Sequence, residues 1–402
     1  MVAFRKFQRA RVAAVSVAVL ALALVAGCGG GDSGGDDGSG GAIKVGASLP
    51  LTSPLSAEAE SLQSGYEMAA EDINADGGVD GQDIEIDIAD DKADPALAKQ
   101  LTQKQITQDG VAAVLGSFGS ATSLTQSTEA ARSNIPGVYP FASEETMVER
   151  GLDTVFNLYP LSQQAEASTD EFLVNQVKPK KVAIVYVDNP FAIGGAESSK
   201  ETLEGEGIEV PVFEKIGLES QFIGPVAKAK QAGVDVIKAI GYNTNYTSYV
   251  QALEQTDLDV DVATFETQIP FEKRSIDTVG KKAAELIVGN PYWLLGQTPD
   301  FDKAYKEKYG KAPEFQAVLG YSAVQVLAEA LKEAGSTEPD AIREALAATD
   351  METVVGRITF DERGQYNQQP TVGQLVDGEV VTIWPEDKAD GELAPWVPIS
   401  QR

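Results

Sequence analysis

The sequence predicts an α/β protein built from two doubly wound units, and three observations carry that prediction. From Ile43 onward, short apolar runs of strand length alternate with longer stretches in which apolar residues recur at helical spacing. This βαβ pattern runs through Leu115 and begins again at Lys181, so it occurs twice. About 360 residues follow Gly41, enough for two domains of ordinary size.

The elements follow in order. Ile43, Val45, Ala47 and Leu49 mark a first strand, and Leu62, Tyr66, Ala69 and Ile73 recur at helical spacing behind it. Ile84, Ile86 and Ile88 mark a second strand. Asp94 can cap a helix that has Pro95 at its first position, and the apolar run 111–115 reads as a buried strand. The second unit offers strands at 182–187, 234–240 and 260–264, separated by helical stretches, and a later strand at 285–289. Helices are expected at 299–309 and 314–334, and Asp377-Gly378 signals a hairpin turn. No short tandem repeat is present, so a solenoid is not supported. Sheets of this kind bind ligands beyond the carboxyl ends of their strands. That directs attention to the loops after Leu49, Leu115, Tyr139, Val187, Ile240 and Thr264.

Residues 1–27 read as a leader. Arg5, Lys6, Arg9 and Arg11 form a basic start, and residues 12–27 are an apolar run of 16 that ends in small residues. A spanning helix needs roughly 20 apolar residues with stop-transfer flanks, whereas Gly29, Gly30 and Gly31 follow here. Leu24, Val25, Ala26, Gly27 and Cys28 look like the lipobox of a bacterial lipoprotein. The mature chain is therefore expected to start at Cys28, lipidated on its thiol and held on the outer face of the cell membrane. An ordinary cleaved leader with a chance cysteine is the alternative, and both place the protein outside the cytoplasm. Residues 28–41 are almost entirely Gly, Ser and Asp and read as a flexible tether.

Composition removes whole classes of chemistry. Cys28 is the only cysteine and there is no histidine, so no disulfide within the folded part, no Ser-His-Asp triad and no histidine-ligated metal site can form. The net charge is −29; without the leader 28 basic residues face 61 acidic ones, giving −33. A surface of that sign repels phosphate backbones, and nucleic-acid binding is not expected. A G-x-S-x-G match at Gly31, Ser33 and Gly35 falls in the tether rather than on a strand-to-helix turn. No enzymatic activity, cofactor or metal is expected.

The loop Gly116, Ser117, Phe118, Gly119, Ser120, Ala121, Thr122 leads from a strand into a helix and has the makings of an anion nest. Backbone N–H groups and the Ser120 and Thr122 hydroxyls would hold a carboxylate or phosphate there. A helix cap without a ligand fits the loop alone equally well. It is not a P-loop, since no G-x-x-x-x-G-K-[ST] exists. Ser143 adds a hydroxyl after Tyr139, and Glu266 stands just past the strand ending at Thr264. Donors at one end and an acid at the other match a zwitterionic amino acid.

Several segments carry a family resemblance when taken in order: Ile43-Lys44-Val45-Gly46 with Pro50-Leu51-Thr52, Asp72 through Gly78, Asp90-Asp91 with Asp94-Pro95, Val114 through Ser117, Lys181 through Tyr186, and Gly356 with Phe360 through Gly364. With them, the chain from Ala42 to about Pro398 resembles the type I solute-binding proteins of the branched-chain amino-acid-binding family of ABC transporters. The resemblance implies two Rossmann-like domains joined by three crossovers, near 158–161, 288–292 and 361–366. The first domain would comprise 42–160 plus 290–361, and the second 161–289 plus 362–399. It also implies roles at single positions. Ser120 matches the serine that meets the ligand carboxylate, and Ser143 a hydroxyl residue for the same group. Phe141 stands where a small residue offers its backbone, Phe191 and Tyr242 match aromatics of the second domain, and Glu266 matches the acid that meets the ammonium. The sequence departs from the pattern at Phe141, at Phe191 in place of a tyrosine, and at Ala192 in place of glycine. A cysteine pair found in some members would fall at Ala93 and Gly119.

Other features have blander readings. Asp72, Asn74, Asp76 and Gly77 begin like a calcium loop, but a strand follows rather than a helix, which favours a plain helix-to-strand turn. Tyr246 and Tyr249 read as covering a helix face, and Tyr292 and Trp293 as hinge packing. The expected protein is a monomeric, lipid-anchored binding protein that captures a branched-chain or other apolar amino acid and delivers it to an importer's permease and ATPase subunits. An aromatic acid, amide or urea-like solute is the alternative ligand. An extracellular sensor subunit is the alternative role.

Overall fold

The structure, a computed structural model, describes residues 41–367 and 370–397. The leader, Cys28 and the tether up to residue 40 lie outside the described residues.

Strands β1 (Ile43–Leu49), β2 (Ile84–Asp90), β3 (Ala113–Leu115), β4 (Gly137–Tyr139) and β5 (Val155–Asn157) form a parallel sheet in the order β2-β1-β3-β4-β5. A second sheet repeats that order as β7-β6-β8-β9-β10, from β6 (Lys181–Val187), β7 (Glu209–Ile216), β8 (Val236–Ile240), β9 (Val262–Phe265) and β10 (Ile287–Gly289). After a separate ribbon of β11 (Asp350–Thr353) and β12 (Gly356–Thr359), β13 (Val372–Val376) and β14 (Glu379–Trp384) add antiparallel strands beyond β10. Helices cover both sheets, so β3, β8 and β9 are buried throughout and β1 nearly so. This is why they read as continuous apolar runs rather than alternating ones.

Sequence signals placed most elements, and several of those placed differ at their edges. The strand expected at 111–115 begins at Ala113, because the preceding helix ends in a π-helical turn, Gln105–Asp109, closed by left-handed Gly110. The strand expected at 234–240 begins at Val236, past left-handed Gly233. At 285–289 the first two residues leave helix Lys281–Ala284, so the strand starts at Ile287. Asp94 accepts from the Ala96 and Leu97 N–H groups and caps helix Pro95–Lys104. Asp377 and Gly378 both have positive φ and join β13 to β14 in a two-residue turn. Asn74 is engaged by the backbone of Ile84 in both directions, tying helix Ser56–Ala75 to β2, as the plain-turn reading requires.

Between the sheets the chain passes three times. It leaves β5 and enters helix Ser162–Phe172, which packs on helix Pro190–Gly205 of the second unit; it leaves β10 for helices Pro299–Tyr309 and Phe315–Ala334, the latter packed on helix Ser56–Ala75; and it returns to the second sheet at β13. Side-chain amides bind these passages together. Asn157 Nδ2 donates to Tyr159 O and Gln365 Oε1, Gln365 Nε2 donates to Tyr159 O, and Asn290 Nδ2 donates to Thr371 O. Burying three amides with partners makes this junction specific, since each would be costly left unpaired.

Candidate functional site

In each sheet the strand order reverses direction between the first and third strands of its unit, β1/β3 and β6/β8, which opens a crevice at their carboxyl ends. The loops from both crevices face one cavity of about 520 Å³, its open mouth included. Its wall takes Phe118, Gly119 and Ser120 after β3, Phe141 and Ser143 after β4, and Tyr159 after β5. From the other side come Phe191 after β6, Gly241 to Asn243 after β8, and Thr267, Gln268, Ile269 and Glu272 after β9; Phe315 and Gln316 complete it.

Five of the six sequence-predicted binding residues, Ser120, Phe141, Ser143, Phe191 and Tyr242, line this cavity together. Ser120 opens helix Ser120–Arg132, whose first N–H groups have no intrahelical acceptor. Gly119 precedes it at φ 110°, a conformation that favours glycine. The Ser143 N–H donates to Ser120 Oγ at 3.1 Å, leaving the Ser120 hydroxyl proton available. Helix N-terminus and hydroxyl together favour an anion.

Rings form the apolar wall. Phe141 stands at their centre, its centroid 5.2 Å from Phe118, 5.2 Å from Tyr159 and 5.7 Å from Phe315. Phe191 and Tyr242 pack at 4.9 Å, and Tyr242 meets Phe118 at 6.1 Å, so the rings cross from one sheet's loops to the other's. Tyr242 Oη is buried without a partner, as is Gln316 Oε1. Such groups cost stability unless something satisfies them, which is what a bound polar ligand does.

Glu266 is placed differently. It does not line the cavity: its carboxyl is buried behind it, with Oε1 accepting from Ser162 Oγ at 3.1 Å. Burial first, and then the charge of Glu166, raise its pKa well above the ordinary carboxylate value. Behind it Lys238, in the middle of β8, bonds Asp170 and approaches Glu166 at 2.5 Å, an ion cluster sealed from water. The acid that does reach the cavity is Glu272. Its oxygens accept from Gln316 Nε2 at 3.0 Å and Asn243 Nδ2 at 3.1 Å, and burial, reinforced by Glu314 and opposed by Arg274, raises its pKa to about 7. Sequence reading had no handle on Glu272, because it lies beyond a 3-10 turn, Ile269–Phe271, well past the strand end.

The other aromatics divide as their spacing suggests. Tyr246 and Tyr249 are fully buried against Phe265, away from the cavity. The backbone N–H groups of Tyr292 and Trp293 donate to Gln268 Oε1, which fixes the passage after β10, while the Tyr292 ring backs Tyr159 at 5.5 Å.

Two doubly wound sheets whose crevices share one aromatic-walled cavity, with an anion-favouring helix start on one side, define the cleft of a two-lobed solute-binding protein. Residues 42–379 match the family described as periplasmic binding protein, and the chain belongs to it. It is 28% identical over 359 residues to a Leu/Ile/Val-binding protein homolog of Brucella abortus, covering 87% of this chain and 92% of that one. A leucine-, isoleucine-, valine-, threonine- and alanine-binding protein of Pseudomonas aeruginosa is 28% identical over 326 residues, covering 80% and 86%. Among solved structures, a leucine-binding protein of Thermotoga maritima superposes with a TM-score of 0.76 at 22% identity, covering 86% of this chain and all but 1% of that one at 99%. A solute-binding protein of R. palustris in complex with benzoate superposes with a TM-score of 0.77 at 19% identity, covering 89% and 97%. The fold is therefore the type I periplasmic-binding-protein fold.

Proposed function

We propose that the protein is the extracytoplasmic, lipid-anchored binding subunit of an ABC importer and that it takes a branched-chain or other apolar amino acid in the inter-sheet cavity. The observation that carries this reading is the pairing of an anion-favouring helix start, Ser120 with Ser143, with a ring-lined wall and a single acid, Glu272, on the same cavity. In this reading Ser120 and Ser143 hold the carboxylate, Phe141, Phe191 and Tyr242 enclose the apolar part, and Glu272 accepts from the ammonium. Glu266 supports the floor from behind through Ser162. The names of the relatives from Brucella and Pseudomonas support the same ligand class. Closure of 42–160 plus 290–361 onto 161–289 plus 362–399 about the three passages would trap the solute and present both lobes to a permease.

A second reading has its own observation. Six rings surround the cavity, including bulky Phe141 and Phe191, and such a wall also suits an aromatic acid. Equilibrium dialysis against labelled leucine, isoleucine, valine, benzoate and short amides separates them. Retention of an aliphatic amino acid supports the first reading. Retention of benzoate alone replaces the ligand, and retention of none of these solutes contradicts both.

A further inference from the structure

Arg274 lies outside the cavity lining, yet it reaches across from one side of the cleft to the other. It sits in helix Lys273–Val279, which follows β9 of the second sheet. Its Nη2 donates to Glu58 Oε1 at 2.9 Å, and its Nε stands 3.3 Å from Glu314 Oε1. Glu58 is in helix Ser56–Ala75, which packs beside β2 of the first sheet, and Glu314 precedes helix Phe315–Ala334, packed on that same helix. The Glu58 side chain is only 2% exposed, and removing a cation from a buried pair leaves its partner without compensation. Two residues before Arg274, Glu272 accepts from Gln316 of helix Phe315–Ala334, and its Oε2 is 4.0 Å from Arg274 Nη2.

We infer that Arg274 is a positioning residue for closure: with Glu58 and Glu314 it forms a clasp that exists only when the two lobes are together, and so sets how long a captured solute is held. This rests on the cleft reading above but not on which solute is bound. Opening the cleft would separate Arg274 from both acids and leave them to water. Arg274 does not itself line the cavity, but it faces Glu272 there at 4.0 Å, so the solute-free distance distribution, which Glu272 does not set through the solute, is the readout that belongs to the clasp. Loss of a partly desolvated charge pair is felt in the release rate, while association is set by diffusion and orientation.

The test uses the full chain with Cys28→Ser, so that spin labels attach only at Glu67→Cys and Gln255→Cys, two exposed sites on helices of opposite lobes. Electron-electron distance measurements are made with and without leucine, and stopped-flow release of leucine is measured alongside. Arg274→Ala should move the distance distribution to longer separations and speed release about tenfold, with association changed by less than about twofold; Arg274→Lys should restore much of both. Glu314→Gln, which leaves Glu58 paired, should act in the same direction but less, and guards against a folding defect in Arg274→Ala. If leucine changes nothing but Arg274→Ala still lengthens the leucine-free distance, the clasp stands and the amino-acid reading falls. Distance distributions that coincide for wild type, Arg274→Ala and Glu314→Gln in both conditions overturn the clasp.

Discussion

At the scale of single residues, the buried acids make a sharp statement about pH. Burial raises the pKa of Glu145 to about 7, with Glu144 and Glu149 adding to it and hydrogen bonds from backbone N–H groups opposing it, and Glu272 reaches a similar value. A carboxyl raised in the folded state binds its proton more tightly there than in the unfolded chain, whose glutamates titrate near 4.3. Between about pH 4.5 and 7 the folded state holds more protons, so stability falls as pH rises through that window. The urea midpoint should therefore increase from pH 8 to pH 5.5. Glu272→Gln and Glu145→Gln should each flatten the profile and add on the order of 1 kcal/mol or more at pH 8. The variants are needed because lowering the −29 charge also relieves repulsion in the same direction. An unchanged slope in both would mean these acids ionise freely.

Ser120 offers a second residue-scale expectation. A hydrogen bond to a charged group is worth about 1.5–3 kcal/mol, so Ser120→Ala should weaken binding of a carboxylate solute by roughly tenfold to a hundredfold by calorimetric titration. Ser120 and Ser143 were legible because a strand end, a small-residue loop and a helix start are local signals. Phe118 stood in that same loop without being singled out, and Tyr159, Phe315 and Glu272 were not legible as cavity residues. Their place depends on how distant segments are folded together, which no spacing in the chain reports. Glu266 shows the converse, since a position one residue past a strand end says nothing of which way the side chain turns.

At the scale of elements, helix Ser56–Ala75 and helix Phe315–Ala334 cross with unusual closeness. A Cβ on Gly65 would come within 2.1 Å of Ala317 O, and one on Gly320 within 2.8 Å of Leu62 Cδ1. Gly65→Val should therefore cost at least the 1–3 kcal/mol typical of overpacking, read as a lower urea midpoint, because the obstructing atom is backbone. Asp94→Ala should cost about 1 kcal/mol in the same assay, since it removes the acceptor for two helix-start N–H groups. The Asp94 cap, the Asp377-Gly378 turn and the buried strands were readable for the same reason: each is a contract between neighbours in sequence. Strand β7 was not anticipated. Its burial is broken and only Val212 and Ile216 are fully enclosed, so it shows neither a continuous apolar run nor a clean alternation.

At the scale of the whole molecule, repetition is the governing fact. The same strand order appears twice, each crevice contributes half a cavity, and the passages between the halves are bound by paired amides at Asn157, Gln365 and Asn290. The doubling was visible in the sequence as a pattern that restarts at Lys181. The antiparallel pair β13 and β14, which extends one sheet only, was visible just as a turn. A solute that bridges the two halves stabilises the folded, closed protein by mass action, whereas a solute absorbed on one half alone would leave the clasp of Arg274 unaffected.

Thermal unfolding with leucine, in wild type and in Ser120→Ala, decides whether the cavity holds an aliphatic amino acid by its carboxylate. At a hundred times its dissociation constant a ligand of the folded state adds about 2.7 kcal/mol. Tm should rise by several degrees with leucine, and at the same concentration about half or more of that rise should be lost in Ser120→Ala. A Tm that leucine, isoleucine and valine all leave unmoved in wild type, or a rise that Ser120→Ala retains in full, would contradict that reading.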